Sequence, residues 1–335
     1  MKRQSLCLSV PVLLFLLLIF PCSLLAAPHY EGKIMTIIVG SAAGGGYDSV
    51  ARLLAKHLPK YIPGKPSIIV QNMPGASSML AANHVYNRAK PDGLTLLTTY
   101  PSLAFMQLLK VEGVKFDLTK FSFIGSAASE TNVFVIRNDL PYRTFQDVLK
   151  SGKPVYLGGL GAGTITTQMS NISRDFLGLD AKIVEYRGTA ELILATERKE
   201  IDGFWLAYQP CRPYIERGLL RPLVRGVVSR KGLENLPVNE DLSADPTGKA
   251  ILTMLNRMSV MARLFIAPPK TPAPLMDTLK ESFDKAIKSP ELQADAAKGQ
   301  MELEYVKGEE CLRLLTPMFK QPPAVVDAVG KYVKF

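Results

Sequence analysis

The chain has 335 residues, of which 47% are hydrophobic and 21% are charged, and its formal net charge is +10. The basic residues are scattered, with neither an arginine-rich arm nor an interleaving of basic and aromatic residues. This composition argues against nucleic-acid binding. It favours a soluble protein whose mild positive field attracts anionic solutes.

The first 27 residues have the pattern of a secretory signal peptide. Lys2 and Arg3 precede an apolar run over residues 6–20, and small residues follow it as far as Ala27. Cleavage is predicted after residue 26 or 27, which implies export to the periplasm. A retained transmembrane anchor is the alternative, but the run is short for a membrane-spanning helix. Lipidation at Cys22 is disfavoured because the residues before it are bulky.

About 300 residues remain after cleavage, which is long for one hydrophobic core and suits two lobes. Cys211 and Cys311 are the two cysteines left in that part of the chain. They either pair in an oxidising compartment or stay as two buried thiols, and their spacing fits no zinc site.

Short apolar runs alternate with helical periodicity along most of the chain. Strands are predicted over residues 34–39, 67–71, 95–99, 132–136, 155–158, 182–186, 203–206 and 264–267. Helices are predicted over residues 48–58, 78–89, 144–151, 164–177, 190–197 and 274–289. Alternation of this kind predicts parallel sheets covered by helices.

The most distinctive segment joins the first predicted strand to the first predicted helix. Its turn reads Ser41-Ala42-Ala43-Gly44-Gly45-Gly46 and is followed by Tyr47 and Asp48. A helix that begins here directs its N–H groups and its positive dipole end at whatever lies over the turn, so the segment is suited to hold an anion. Asp48 is interpreted either as an N-cap or as a side chain that orients a loop N–H or meets a cationic group.

A second glycine-rich turn follows the predicted strand at 155–158. It contains Gly161, Gly163 and Thr164 and opens the helix predicted over 164–177. Two lobes that each direct a helix N-terminus at a shared cleft would clamp one anionic ligand between them. That is the arrangement of a hinged binding protein.

Other interpretations of the glycines are a nucleotide site and ordinary tight turns. Neither turn has the GxGxxG spacing, no Walker lysine follows either turn, and no acidic residue ends a strand about 20 residues after the first turn. Catalysis finds little support, because there is no HExxH motif and no GxSxG elbow. Trp205, the one tryptophan, is either a core residue or a platform on which an apolar ligand body stacks.

An ordered set of motifs resembles the substrate-binding proteins of tripartite tricarboxylate transporters, the TctC or Bug type. The set runs through nearly the whole exported chain in the order of that family. Its members are Ala43-Gly44-Gly45-Gly46-Tyr47-Asp48 with Ala51-Arg52, Val70-Gln71-Asn72-Met73-Pro74-Gly75-Ala76, Pro91-Asp92-Gly93-Leu94-Thr95-Leu96, Gly161-Ala162-Gly163-Thr164, Tyr186-Arg187-Gly188-Thr189-Ala190, Ile201-Asp202-Gly203, and the Ala267–Pro274 stretch.

The resemblance implies an α/β, two-lobe periplasmic binding protein of the Venus-flytrap, type II-like kind, each lobe a mainly parallel sheet with flanking helices. Residues 28–127 and 245–335 are expected to form the first lobe, and residues 128–244 the second. The expected ligand is a small organic carboxylate. The resemblance places ligand contacts at Ser41, Ala42, Ala43, Gly44, Gly45, Gly46, Asp48, Gly75, Ala76, Gly161, Gly163, Thr164, Thr167, Tyr186, Asp202 and Trp205.

The expected partners are the permease subunits of a membrane transporter, with the binding protein a monomer that needs no cofactor or metal. A ligand-sensing receptor for a membrane signalling partner is the alternative, and an exported enzyme is a third. Thr167 stands where the family often has a histidine, and Leu94 replaces a common tyrosine. These departures leave the identity of the carboxylate open.

Overall fold

A computed structural model of the protein describes residues 28–333. The predicted signal peptide, residues 1–27, lies outside the described residues. Within 28–333, no helix combines the length and the apolar character needed to cross a bilayer.

The predicted alternation of strands and helices is present. The strands are β1 (Ile34–Val39), β2 (Ser67–Asn72), β3 (Thr95–Thr99), β4 (Ser122–Ser126), β5 (Asn132–Arg137), β6 (Val155–Gly159), β7 (Ala181–Glu185), β8 (Gly203–Ala207), β9 (Leu220–Arg225), β10 (Leu264–Ala267) and β11 (Val306–Lys307). The helices are α1 (Gly46–His57), α2 (Met79–Arg88), α3 (Leu103–Leu108), α4 (Phe145–Lys150), α5 (Ile165–Phe176), α6 (Thr189–Glu197), α7 (Tyr208–Glu216), α8 (Pro246–Val260), α9 (Ala273–Lys288), α10 (Pro290–Lys298), α11 (Gly308–Leu315) and α12 (Pro323–Tyr332).

Two mixed sheets form the framework of the molecule. The first has the strand order β11-β4-β10-β3-β1-β2, and the second has the order β7-β6-β8-β5-β9. Strands β1, β2, β3 and β4 run in one direction, and β10 and β11 run against them. In the second sheet only β5 runs against the other strands. Most strands of each sheet run in one direction, as predicted. The antiparallel pairs are those of β10 with β3 and β4, of β11 with β4, and of β5 with β8 and β9.

Every predicted strand and helix is present, with ends displaced by two residues or fewer. Strands β4, β9 and β11 were not predicted, nor were helices α3, α7, α8, α10, α11 and α12. Proline explains two of these misses. Pro222 lies in β9, which is an edge strand and so tolerates a missing N–H, and Pro213 lies inside α7.

The chain crosses between the sheets in two segments that lie side by side. Residues 127–131 lead from β4 to β5, and residues 259–263 lead from α8 into β10. The N–H of Glu130 donates to the carbonyl of Ser259 at 2.8 Å, and the N–H of Ala127 donates to the carbonyl of Arg263 at 2.9 Å. This paired crossing is the candidate hinge. The predicted lobe boundaries separate the strands of the two sheets in the same way, and they stay a prediction.

Three hydrophobic clusters cover the four faces of the two sheets. One packs α1, α9 and α10 on the first sheet, and another packs α6 and α7 on the second. The largest cluster continues from Ile38 and Leu97 of the first sheet to Phe134 and Trp205 of the second. Helix α8 contacts α5, α11 and α12, so it joins the two lobes at this side.

The two cysteines do not pair. Both thiols are free and buried, Cys211 among the side chains of the second sheet and Cys311 in the largest cluster. Burial raises the pKa of each thiol to about 12, which keeps both protonated at neutral pH.

Candidate functional site

A cavity of about 360 Å³ lies between the two sheets, beside the crossing segments. Loops that follow strands of both sheets reach it, as expected for ligand sites at the carboxyl ends of parallel strands. We call it the cleft cavity. Its lining consists of Tyr47, Ser77, Tyr100, Pro101, Ser102, Phe105, Glu130, Asn132, Gly163, Ile165, Gln168, Ala207, Leu255, Met258, Ser259, Ala262 and Val333.

The first glycine-rich loop is held in shape by Asp48. Its carboxylate accepts the N–H of Gly44 at 2.8 Å, the Nε–H of Arg52 at 2.9 Å and the side-chain amide of Asn72 at 3.0 Å. The N-cap of α1 is Gly45, not Asp48, so the interpretation of Asp48 as a side chain that orients a loop N–H is the correct one. These hydrogen bonds, the one from Arg52 foremost, lower the pKa of the buried Asp48 carboxyl to about 2.

The start of α1 leaves backbone donors available. Gly45 caps the helix without a side-chain hydrogen bond. Among the described residues, the N–H groups of Gly46 and Tyr47 have no hydrogen-bond acceptor. Such a helix start attracts an anion through its N–H groups and dipole. Residues Ala42 to Gly46 are exposed, and Tyr47 is the residue of this segment that reaches the cleft cavity.

The loop after β2 has an unusual backbone. Ala76, Ser77 and Ser78 all have positive φ, at 43°, 48° and 76°. Such conformations cost free energy in residues other than glycine, and they are found mostly at functional sites. The hydroxyl of Ser78 donates to the carbonyl of Gly40 at 2.9 Å, which joins this loop to the first one. Of the predicted pair, neither Gly75 nor Ala76 lines the cleft cavity; the neighbouring Ser77 does.

The second glycine-rich loop already carries an internal carboxylate. Glu185 of β7 accepts the N–H of Gly161 at 2.6 Å and the hydroxyl of Thr167 at 3.1 Å. The hydroxyl of Thr164 caps α5 by accepting the N–H of Thr167 at 3.4 Å. The prediction that Gly161 and Thr167 offer donors to a ligand is therefore wrong for this conformation. What remains at the start of α5 is Gly163, which lines the cleft cavity, and the first N–H groups of the helix.

Three other predicted contacts lie away from the cleft cavity. Asp202 precedes β8 and accepts from Arg137 at 3.2 Å and from the N–H of Tyr156 at 2.9 Å, at the sheet end opposite the loops. Trp205 is fully buried and donates to Ser173 at 2.9 Å, so it is a core residue and no stacking platform. Tyr186 packs against the core of the second sheet.

Sequence reasoning missed the residues that come from the crossing segments. Glu130, Ser259 and Ala262 line the cleft cavity, and Arg263 lies directly beside it. The Arg263 guanidinium lies 4.4 Å from the ring centroid of Tyr47, whose hydroxyl donates to Ala262 at 2.6 Å. Burial raises the pKa of the Tyr47 hydroxyl above its usual range, so this tyrosine stays neutral. No local sequence pattern marks these positions as neighbours.

A second cavity, of about 300 Å³, lies on the other side of the crossing segments. It shares Glu130 and Ala207 with the cleft cavity, and its lining adds Gly46, Arg230 and Arg263. In residues 28–333 there is no group of three or more His, Cys, Asp or Glu side chains arranged to hold a metal ion. The linings of the two cavities offer hydroxyls, side-chain amides and a few charges, so both are candidates for an organic ligand.

The family model described as the tripartite tricarboxylate transporter family receptor matches residues 50–331. The chain belongs to this family. Its members are receptors for solutes, which agrees with a two-lobe fold built around a cleft.

Curated relatives and solved structures are consistent with the TctC family. A UPF0065 protein of Agrobacterium vitis is 28% identical over 276 residues, which cover 81% of this chain and 76% of that protein. A UPF0065 protein of Cupriavidus necator is 25% identical and covers 91% of this chain and 90% of its own length. The crystal structure of a TctC solute-binding protein from Polaromonas, without ligand, has a TM-score of 0.73 at 20% identity, over 90% of this chain and 99% of that one.

Two further similar structures contain ligands. MatC from Rhodopseudomonas palustris, with bound malate, has a TM-score of 0.55 at 18% identity, over 90% of this chain and 99% of that one. A second R. palustris protein, with adipate, has a TM-score of 0.59 at 19% identity, over 90% of this chain and 98% of that one. At these identities the likeness establishes the two-lobe solute-binding fold.

Proposed function

We propose that this TctC-family protein captures a small organic carboxylate in the cleft cavity and delivers it to the permease subunits of a tripartite tricarboxylate-type transporter. It acts in the periplasm, as a monomer and without catalysis. The observation that carries the proposal is the approach of two helix starts, those of α1 and α5, to one cavity between the lobes.

The chemistry of this cavity suits a carboxylate. Tyr47 and Gly163 reach it from the first and second glycine-rich loops, and Ser77, Ser102 and Asn132 add neutral polar groups. Backbone N–H groups at helix starts are preorganised donors for an anion, and they need no counter-charge. Lobe closure would remove water from the cavity, which strengthens each charge-assisted hydrogen bond.

The ligands of two structural neighbours support the substrate class. Malate and adipate, bound to the R. palustris proteins, are both aliphatic carboxylates. Among the predicted residues we retain Gly163, which lines the cleft cavity, and the loop Ser41–Gly46, which adjoins the cavity through Tyr47, with Asp48 in support. Gly75, Ala76 and Thr164 take part by shaping the loops that carry the donors.

A thermal-shift screen against mono-, di- and tricarboxylates tests the proposal on the protein from residue 28 onward. A ligand at 100 times its Kd stabilises the folded state by about 2.7 kcal/mol, so the melting temperature is expected to rise by about 5 °C. Nucleotides, sulfonates and amines serve as controls and are expected to give no shift. A shift with one of these classes and none with any carboxylate would overturn the proposed substrate class.

The membrane partner requires its own experiment. Pull-down of the ligand-loaded protein with candidate permease subunits in detergent is expected to recover a complex that depends on ligand. Recovery of a membrane-bound sensor protein, with no permease, would replace delivery by signalling as the function.

A further inference from the structure

An ion pair separates the two cavities. Arg263 Nη2 lies 2.9 Å from Glu130 Oε1, with the two side chains 20% and 40% exposed. Glu130 lines both cavities, whereas Arg263 lines the second cavity only. The Glu130 carboxylate therefore stands between the cleft cavity and the guanidinium. A ligand in the cleft cavity would meet Arg263 at the place that Glu130 now occupies.

The guanidinium is fixed independently of Glu130. It lies on the face of Tyr47, 4.4 Å from the ring centroid. Its Nη1 donates to the carbonyl of the preceding residue, Ala262, at 3.0 Å. A stacked arginine presents its planar N–H groups in a fixed orientation, which suits a carboxylate better than a mobile lysine does. Arg263 also lies beside the start of α1, because a Cβ built on Gly46 would be 3.4 Å from its Nη2.

Displacement of the Glu130 carboxylate from Arg263 by a carboxylate of the ligand is energetically feasible. A half-exposed ion pair contributes little, because water screens it and side-chain order costs entropy. Glu130 has solvent to turn into, since its side chain is the more exposed of the two. Among the described residues that line the cleft cavity, Glu130 is the one with a charged side chain. While it stays, it repels a second negative group on a ligand.

We propose that Arg263 binds a second carboxylate of the ligand and that Glu130 is a displaceable counter-ion, so that the site selects dicarboxylates over monocarboxylates. This rests on the proposed function and adds the residue that decides selectivity. The first carboxylate lies on the amides of the glycine-rich loops. The second replaces Glu130 on Arg263, so a bound dicarboxylate extends from the cleft cavity into the second cavity.

Calorimetry with matched ligands tests this. Succinate, glutarate and adipate are compared with butyrate, valerate and hexanoate, and the readout is the ratio of the two affinities at each chain length. Arg263→Gln is expected to lower the dicarboxylate affinity about tenfold or more and the monocarboxylate affinity less than about threefold. Glu130→Gln, which removes the competing carboxylate, is expected to raise the dicarboxylate affinity. Lys285→Gln, which breaks an exposed ion pair with Glu281 and lies in the lining of neither cavity, is the control and should leave the ratio unchanged.

The opposite signs of the two variants distinguish selectivity from a structural role. If the pair merely holds the crossing segments together, both variants lower the melting temperature, and the ratio stays constant; that result overturns the inference while leaving the proposed function intact. The inference is also overturned if the ligand that the wild-type protein binds most tightly is a monocarboxylate with an amino group and Glu130→Gln no longer binds it. Glu130 would then recognise an ammonium group. If the wild-type protein binds no carboxylate at all, it is the proposed function that fails.

Discussion

At the scale of single residues, the two glycines at either end of the first loop have different tasks. A Cβ on Gly40 would overlap the side chain of Ser78, which donates to the Gly40 carbonyl. Gly45 has an ordinary extended backbone, with φ −83°, and the atom nearest to a Cβ there is the Ala42 carbonyl oxygen at 3.8 Å. Gly40 is therefore required by packing, whereas Gly45 keeps the approach to the α1 amides open.

Substitution separates these tasks. Gly45→Val is expected to fold with nearly wild-type stability and to lower carboxylate affinity more than about tenfold, because its methyl groups cover the first N–H groups of α1. Gly40→Ala is the matched variant and is expected to lose about 2 kcal/mol of unfolding free energy through overpacking. Urea unfolding measures the unfolding free energy, and calorimetry measures the carboxylate affinity. Unchanged affinity in Gly45→Val would exclude the α1 start from the binding site.

At the scale of elements, each glycine-rich loop is held by a carboxylate of the chain itself. Asp48 accepts the Gly44 N–H in the first loop, and Glu185 accepts the Gly161 N–H in the second. An anion-binding loop needs a fixed shape before the ligand arrives, because ordering it on binding would cost affinity. These carboxylates use one loop N–H each, and the helix starts that follow keep theirs.

The contribution of Asp48 is expected to depend on pH. Its folded-state pKa of about 2 lies below the ordinary value of 3.8, so the stabilisation is present above about pH 4 and is lost as the pH falls toward 2. The shift corresponds to about 2 kcal/mol. In urea unfolding, the unfolding free energy of wild type is expected to exceed that of Asp48→Asn by about that amount at pH 6 and by almost nothing near pH 2. A difference between the two proteins that does not vary with pH would contradict this assignment.

At the scale of the whole molecule, the crossing segments are reinforced by an ionic cluster behind them. Arg230 donates to the carbonyl and the hydroxyl of Ser129, at 2.8 and 3.0 Å. Its guanidinium also lies 3.7 Å from Glu302 and 3.9 Å from Glu304, and the Ser129 hydroxyl donates to Glu304. Residues that precede β11 of the first sheet are thereby joined to the loop that follows β9 of the second.

Removal of this arginine is expected to weaken the junction of the two lobes. Arg230→Gln should lose about 1–2 kcal/mol of unfolding free energy in low salt, because Arg230 is 19% exposed and bonds a carbonyl of the crossing segment. The loss should shrink in 1 M NaCl, where charge interactions are screened. Lys285→Gln, which breaks an exposed pair with Glu281, is the control and should change stability by less than about 0.5 kcal/mol. Equal losses in the two variants would argue against a role of the cluster in joining the lobes.

The sequence predicted the elements that are encoded by consecutive residues. The runs that became β1 and β3, and the glycine turns before α1 and α5, are patterns within a dozen neighbouring positions, and they occur where predicted. Which side chains of these elements are buried could not be predicted from such local patterns. Trp205 lies on a strand covered on both faces, where Phe204 and Leu206 are buried as well. Asp202 stands at the start of that strand instead of its cleft end.

The sequence by itself therefore located the two glycine-rich helix starts and indicated the family, and it predicted the export signal and an anion site at those helix starts. Only the tertiary structure decided which donors of those loops are already bonded, as at Gly161, and which side chains complete the cleft, as at Glu130 and Arg263. The physical reason is distance along the chain. A helix start is formed by residues next to one another, whereas Glu130, Arg263 and Tyr47 meet because two crossing segments pair beside the end of β1.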